Sequence, residues 1–344
     1  MTATEGWDGD GSDVAASLGE VARAKVDVAI VFPQRADAAT AAVLRRLMEV
    51  AADNLQGAVL GEDPEYLHQL RIAVRRSRTV QRQFKGVFPA LELPGLRSDF
   101  RWLQRATGEA RDLDVHVEEF SDLSELVPAG LRPALEPLHG ALLQRRAAAR
   151  HRLTATLQSA RLRELFADWE RLLESLVELP VDDRPAADRS IGALAGERSL
   201  MVYGQIVAMG QAIGPEDPAE SYHAVRKKGK ELRYLLELFG VRLFDAEVLD
   251  PLIRSLKDLQ ELLGRHQDRE VQVAMIRALA PAVAAMPGGP GACLAMGVLA
   301  DRLTADERAA RTEFAERFAL LADDEQRRRV GEAFGGAVDV PTDA

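Results

Sequence analysis

The sequence predicts an all-α protein, and three observations carry that expectation. Aromatic residues make up only 5% of the chain while alanine and leucine abound, and runs of β-branched residues that would favour strands are scarce. Apolar residues recur at helical rather than alternating spacing. A helical segment with an unusual charge pattern, residues 61–84, also recurs 155 residues later, so the helical unit is duplicated.

In chain order, residues 1–36 form an acidic leader expected to be flexible, with a short extended piece around "VDVAIVF". A first helix is expected over 38–55. The next begins at Pro64, because Asp63 can cap its first turn and proline needs no partner for an amide it lacks. Helices over 96–107 and 113–120 and a long one over 133–176 complete a first unit, 37–177. The segment 178–190, "ELPVDDRPAADRS", carries two prolines and several acids and reads as a linker. The second unit, 191–325, repeats the order: a helix over 191–209, a second motif helix capped by Asp217 ahead of Pro218, helices over 248–263 and from 268 into the 280s, and a last one over 292–321. Residues 326–344 are expected to be a flexible tail.

The motif helices carry the chemistry. At 100° per residue, His68, Arg71, Arg75, Arg78 and Arg82 share an arc of roughly 80°, beside an apolar arc of Leu67, Leu70, Val74 and Phe84. A solvated helix face usually mixes signs at i, i+4 spacing; this one does not. In the second unit His223, Arg226, Lys230 and Arg233 repeat the spacing of His68, Arg71, Arg75 and Arg78, with Lys227 in the same cluster and Phe239 answering Phe84. "LQRATGEARDLDV" is likewise answered by "LQELLGRHQDREV", which aligns Gly108 with Gly264 and Asp112 with Asp268. Unpaired like charges cannot be buried in apolar surroundings without a cost of several kcal/mol, so both stripes must face water or an anion. From His68 to Arg82 the stripe spans about 21 Å, which suits an extended polyanion better than a single phosphate. Arginine outnumbers lysine 38 to 6, and a guanidinium can donate two parallel bonds to phosphate oxygens. Asp112 and Asp268 are expected to support arginines of the stripes or cap helices. A net charge of −10 then reads as charge segregation: an acidic surface for solubility around a local basic site.

The motifs "YLHQLRIAVRRSR", "HAVRKKGKELRYLLELF" and "GEARDLDV" resemble the CHAD family, the conserved histidine α-helical domain, over residues 37–325. The resemblance implies two four-helix bundles related by a pseudo-twofold axis, a basic central channel, and non-catalytic binding of inorganic polyphosphate, with attachment to polyphosphate granules as one use. The positions that match are His68, Arg71, Arg75, Arg76 and Arg78, then His223, Arg226, Lys230 and Arg233. The CYTH triphosphatase domain that often precedes this one finds no room in the first 36 residues, and no cofactor is implied.

Other functions are less well supported. Glu65 with His68 and Glu220 with His223 have the Glu-x-x-His spacing of di-metal bundles, but cations follow each histidine at +3 and +7 and would repel a metal ion. Phosphotransfer through His68 or His223 would be aided by the neighbouring arginines, yet the chain has no phosphate-binding loop. Nucleic acid is disfavoured because aromatics are not interleaved with the stripe, Tyr234 excepted. Asp112 and Asp114 recur only as the single Asp268, which argues against a catalytic carboxylate pair. His116, His139, His151 and His266 lack a repeating context and are expected to be surface or cap residues. The longest uncharged stretch, 278–300, is broken by "PGGPG", so no membrane span is expected, and the lone Cys293 suits a reducing cytoplasm.

Overall fold

The structure is a computed structural model that describes residues 20–335 apart from residue 215. Among them, fourteen α-helices occur and no strands, so the chain is all-α. The first half holds α1 (Ala36–Asp53), α2 (Leu55–Leu60), α3 (Pro64–Gln83), α4 (Leu93–Ala106), α5 (Gly108–Glu118), α6 (Phe120–Glu125), α7 (Glu136–Leu157) and α8 (Ala160–Ser175). The second holds α9 (Ile191–Gln211), α10 (Ala219–Leu235), α11 (Val241–Leu243), α12 (Ala246–Ala284), α13 (Gly289–Leu321) and α14 (Asp324–Gly335). Among the described residues, no helix is long and apolar enough to cross a membrane.

Helix α3 packs against α1 and α4, α10 packs against α9 and α12, and α3 and α10 meet each other. Their start signals differ. Asp63 accepts the Glu65 N–H at 2.7 Å and Pro64 stands in the first turn, as the cap spacing predicts. Asp217 instead accepts the Gly214 N–H at 2.7 Å within its own turn, so α10 starts after Pro218 without a side-chain cap.

Contacts between the halves are reciprocal across the 155-residue offset. Ala36 N–H donates to Arg189 O at 2.8 Å, and its counterpart Ile191 N–H donates to Gln34 O at 2.8 Å. Arg35 and Ser190 form an isolated antiparallel bridge between these bonds. The paired residues Phe84 and Phe239 meet edge to face, with ring centroids 4.9 Å apart, and both are buried. Edge-to-face rings contribute about 0.5–1.5 kcal/mol beyond their area, so this contact helps fix how the halves face each other.

Several sequence expectations need correction. The helix expected over 133–176 is interrupted: α7 ends at Leu157, and the Ser159 hydroxyl caps α8 by accepting the Leu162 N–H. The two helices expected over 248–263 and beyond 268 are one continuous α12 of 39 residues. In the first half the matching stretch is divided at Thr107, whose hydroxyl donates back to Leu103 O at 2.8 Å; Leu263 stands there in α12, and leucine has no hydroxyl to compete for the helix backbone. The leader is not loose from residue 20 onward. Ala24, Val26 and Ile30 are buried, Ala24 N–H donates to Gln69 Oε1 at 2.8 Å, and Arg76 and Arg242 donate to the carbonyls of Ala24 and Val26. The rest of the leader, 1–19, and the end of the tail, 336–344, lie outside the described residues. The tail before that point is helical, with Val330 and Phe334 fully buried in α14. The linker is also held: Arg184, fully buried, donates to Pro180 O and Leu176 O at 2.8 Å each and lies 3.6 Å from the Asp37 carboxylate. Finally, His116 and His266, expected to be surface or cap residues, are buried within α5 and α12.

Candidate anion-binding site

Two cationic helices facing each other should repel, and side chains of the second half explain why they do not. Arg76 Nη2 lies 2.5 Å from Glu237 Oε2, and Arg82 Nε lies 2.8 Å from Glu231 Oε1. At the 155-residue offset Glu231 is the counterpart of Arg76 and Glu237 the counterpart of Arg82. The two ion pairs are therefore one contact made twice, crossed over, with arginine always on α3. Gln83 donates to Glu231 as well, Lys228 Nζ lies 3.3 Å from it, and Arg233 Nε lies 3.4 Å from Glu237. Opposite signs at equivalent positions hold α3 to the second half.

Tyr234 adds a second attachment. It is 3% exposed, and the guanidiniums of Arg75, Arg76 and Arg233 lie 5.9, 5.5 and 5.6 Å from its ring centroid. A ring face attracts each cation by about 0.5–2 kcal/mol, which offsets part of their mutual repulsion.

What is left unpaired defines the site. An open cleft of about 520 Å³ is lined by Arg75, Arg78, Thr79, Arg82, Lys227 and Lys230 together with Lys228, Glu231 and Tyr234. Among the described residues, Arg75, Arg78, Lys227 and Lys230 have no carboxylate within 4.0 Å. Arg75 Nε is buried without a hydrogen-bond partner. Burial, followed by the charges of Arg226, Arg75 and Arg233, pushes the Lys230 ammonium down to about 7. Burial likewise lowers Arg78, with Arg82, Arg101, Arg97 and Arg105 adding to the effect. Such a cluster concentrates positive potential that an anion would relieve.

The remaining residues of the stripe lie outside the cleft lining. Arg71 donates to Gln104 O at 2.9 Å and to Thr107 Oγ1 at 2.7 Å, which secures the end of α4, and burial pushes it down to about 10. Its counterpart Arg226 lies 3.9 Å from Asp268. The two arginines occupy the space over Gly108 and Gly264, where an added Cβ would come within 3.7 and 3.6 Å of a guanidinium nitrogen. Asp112 acts on Arg71 through its charge, as Asp268 does on Arg226. Asp268 is 62% exposed, and its partial burial in the groove beside Gly264 raises its pKa against the pull of Arg226 and Lys230. His68 and His223 stand near the start of their helices. Burial lowers both, seconded by Arg111 at His68 and by Lys227 at His223.

The CHAD domain family model matches residues 42–277, which include α3, α10 and both glycine–aspartate segments. The chain belongs to the CHAD family. It is similar in structure to the CHAD domain of the plant Ricinus communis, at 25% identity and a TM-score of 0.71, covering 87% of this chain and 96% of that one. PptA from Streptomyces chartreusis shares the fold, at 18% identity and a TM-score of 0.63 over 83% of this chain and 99% of that one. Two uncharacterized Mycobacterium tuberculosis proteins, from strains CDC 1551 and H37Rv, are 26% identical over 228 residues, or 62% of this chain. The chain spans about 40% of the length of these curated relatives.

Cations on α4 of this CHAD domain, Arg97, Arg101 and Arg105, escaped the sequence reading, although "LRSDFRWLQR" shows the same single-sign column at i, i+4, i+8. Glu231 and Glu237 escaped it too, because their role depends on a contact between the halves. Arg76 and Arg82, expected to bind ligand, are engaged by those two glutamates.

Proposed function

We propose that this CHAD protein binds inorganic polyphosphate, without turning it over, in the cleft where α3 and α10 meet, the two helices belonging to duplicated bundles arranged about a local twofold. The observation that carries this reading is the set of four cations, two from each helix, that line one cleft without a carboxylate partner in a protein of net charge −10. A linear phosphate chain offers regularly spaced oxygens to both rows and stacks on nothing. Nucleic acid would need accessible rings, and the cleft's one aromatic, Tyr234, is buried beneath guanidiniums. Arg75, Arg78, Lys227 and Lys230 are the direct contacts in this proposal. Arg71, Arg226, Arg233, Asp112 and Asp268 position and polarise them, and His68 and His223 contribute charge when protonated. Such binding, in the cytoplasm, would tether the protein to polyphosphate granules.

The test is a calorimetric titration with polyphosphate and, at matched charge concentration, with single-stranded DNA. Polyphosphate should bind at least tenfold more tightly, a difference of about 1.4 kcal/mol. Equal or tighter binding of DNA would replace this reading with a general polyanion or nucleic-acid function.

A further inference from the structure

A second group of cations stands beside Arg78. Arg97, Arg101 and Arg105 occupy successive turns of α4, share an arc of roughly 80° and span about 12 Å along the helix. Helix α4 packs against α3, and Gln104, next to Arg105, lines the cleft with Arg78, so the two groups are neighbours; the charges of all three lower the Arg78 pKa. None of the three has a carboxylate within 4.0 Å among the described residues; the one acid inside this stretch, Asp99, pairs with Arg161 at 2.7 Å. Beyond Arg105, a separate groove of about 460 Å³ is lined by Lys85, Arg97 and Arg101 with a single carboxylate, Asp183.

The second half has no equivalent. The 156-residue offset that aligns Gly108 with Gly264 places Ile253, Lys257 and Glu261 opposite Arg97, Arg101 and Arg105. The cleft draws cations from both halves, and the column on α4 belongs to one. A symmetric ligand site would not require it, and an exposed column of like charge is unfavourable unless something neutralises it.

We propose that Arg97, Arg101 and Arg105 form a one-sided binding arm that carries the part of a linear polyphosphate leaving the cleft past Arg78. This rests on the polyphosphate reading and adds to it a direction of exit and a preference for chains longer than the cleft. The cleft residues hold any chain; the arm adds contacts only when the chain extends beyond Arg78. Short chains should therefore be indifferent to the arm, and long ones should depend on it.

The experiment compares tripolyphosphate with a long polyphosphate of roughly one hundred units, titrated into the full chain and into the triple variant Arg97→Gln, Arg101→Gln, Arg105→Gln over a range of salt. Loss of three phosphate contacts should weaken the long chain about tenfold or more and reduce the magnitude of its log–log salt slope by about 2. Tripolyphosphate affinity should be unchanged. A control that removes three exposed arginines elsewhere, Arg145, Arg302 and Arg317, should leave both affinities within about twofold. Circular dichroism and thermal melting of each variant verify that the fold is intact. If the triple variant binds both ligands as the parent does, or weakens both equally, the arm is wrong while the cleft reading survives. If the parent chain binds neither ligand, the polyphosphate reading itself fails, and the arm with it.

Discussion

Lys230 is where charge and burial conflict most directly. Burial opposes its charge most, Arg226 and Arg233 on α10 and Arg75 on α3 oppose it further, and the Asp268 carboxylate on α12 only partly offsets them. With the folded pKa at about 7 and the unfolded one near 10.4, the folded state gives up its proton first. The penalty is therefore complete below about pH 7 and is relieved as pH rises towards about 10, so this group makes the empty protein more stable as pH rises through that window. We expect Lys230→Met to stabilise the empty protein at pH 7 by about 1–3 kcal/mol in urea unfolding while weakening polyphosphate binding; a destabilised variant would show that the lysine does not bear this strain. A bound polyanion reverses the balance by raising the Lys230 pKa. Affinity should rise as pH falls from about 10 towards about 7, with a further gain below about 6.5 as His68 and His223, both depressed in the empty protein, take up protons. Calorimetry in buffers of different ionisation enthalpy should find proton uptake on binding at pH 8 that persists in the His68→Gln, His223→Gln double variant and disappears in Lys230→Met. Uptake lost in the histidine variant instead would assign the titration to the imidazoles.

At the level of helices, the crossed ion pairs explain how two basic elements can be neighbours. A double-mutant cycle of Arg76→Ala with Glu237→Ala should give a coupling of about 1 kcal/mol or more, because both side chains are three-quarters or more buried. Additive effects would mean that apolar contacts such as Phe84 on Phe239 hold the halves without them. The start of α3 and its basic stripe were legible in the sequence because a cap followed by proline and a single-sign column on one arc are local signals. The unbroken length of α12 was not, since whether the helix breaks at Thr107 or continues through Leu263 turns on threonine against leucine at that one position. The proposed caps show the same limit: Asp63 binds its helix, whereas Asp217 is drawn into its own turn by the Gly214 amide. The basic residues of the site were visible, but which of them were free was not. That depended on Glu231 and Glu237 reaching Arg82 and Arg76 from the other half, a contact between residues about 150 positions apart.

Over the whole molecule, an acidic protein with a recessed basic cleft should meet polyanions through counterion release, so polyphosphate affinity should fall steeply with salt. Between 50 and 200 mM salt we expect a loss of roughly 50- to 150-fold if four cations make contact, and a flat profile would move the ligand away from the cleft. The central claim is that α3 and α10 serve a single ligand together. Its most direct test is polyphosphate titration of Arg75→Glu and Lys230→Glu, made separately, with folding checked by circular dichroism. The account predicts that each reversal weakens binding about tenfold or more at unchanged stoichiometry. Full affinity in either variant, or two independent sites each lost with its own helix, would contradict a shared cleft.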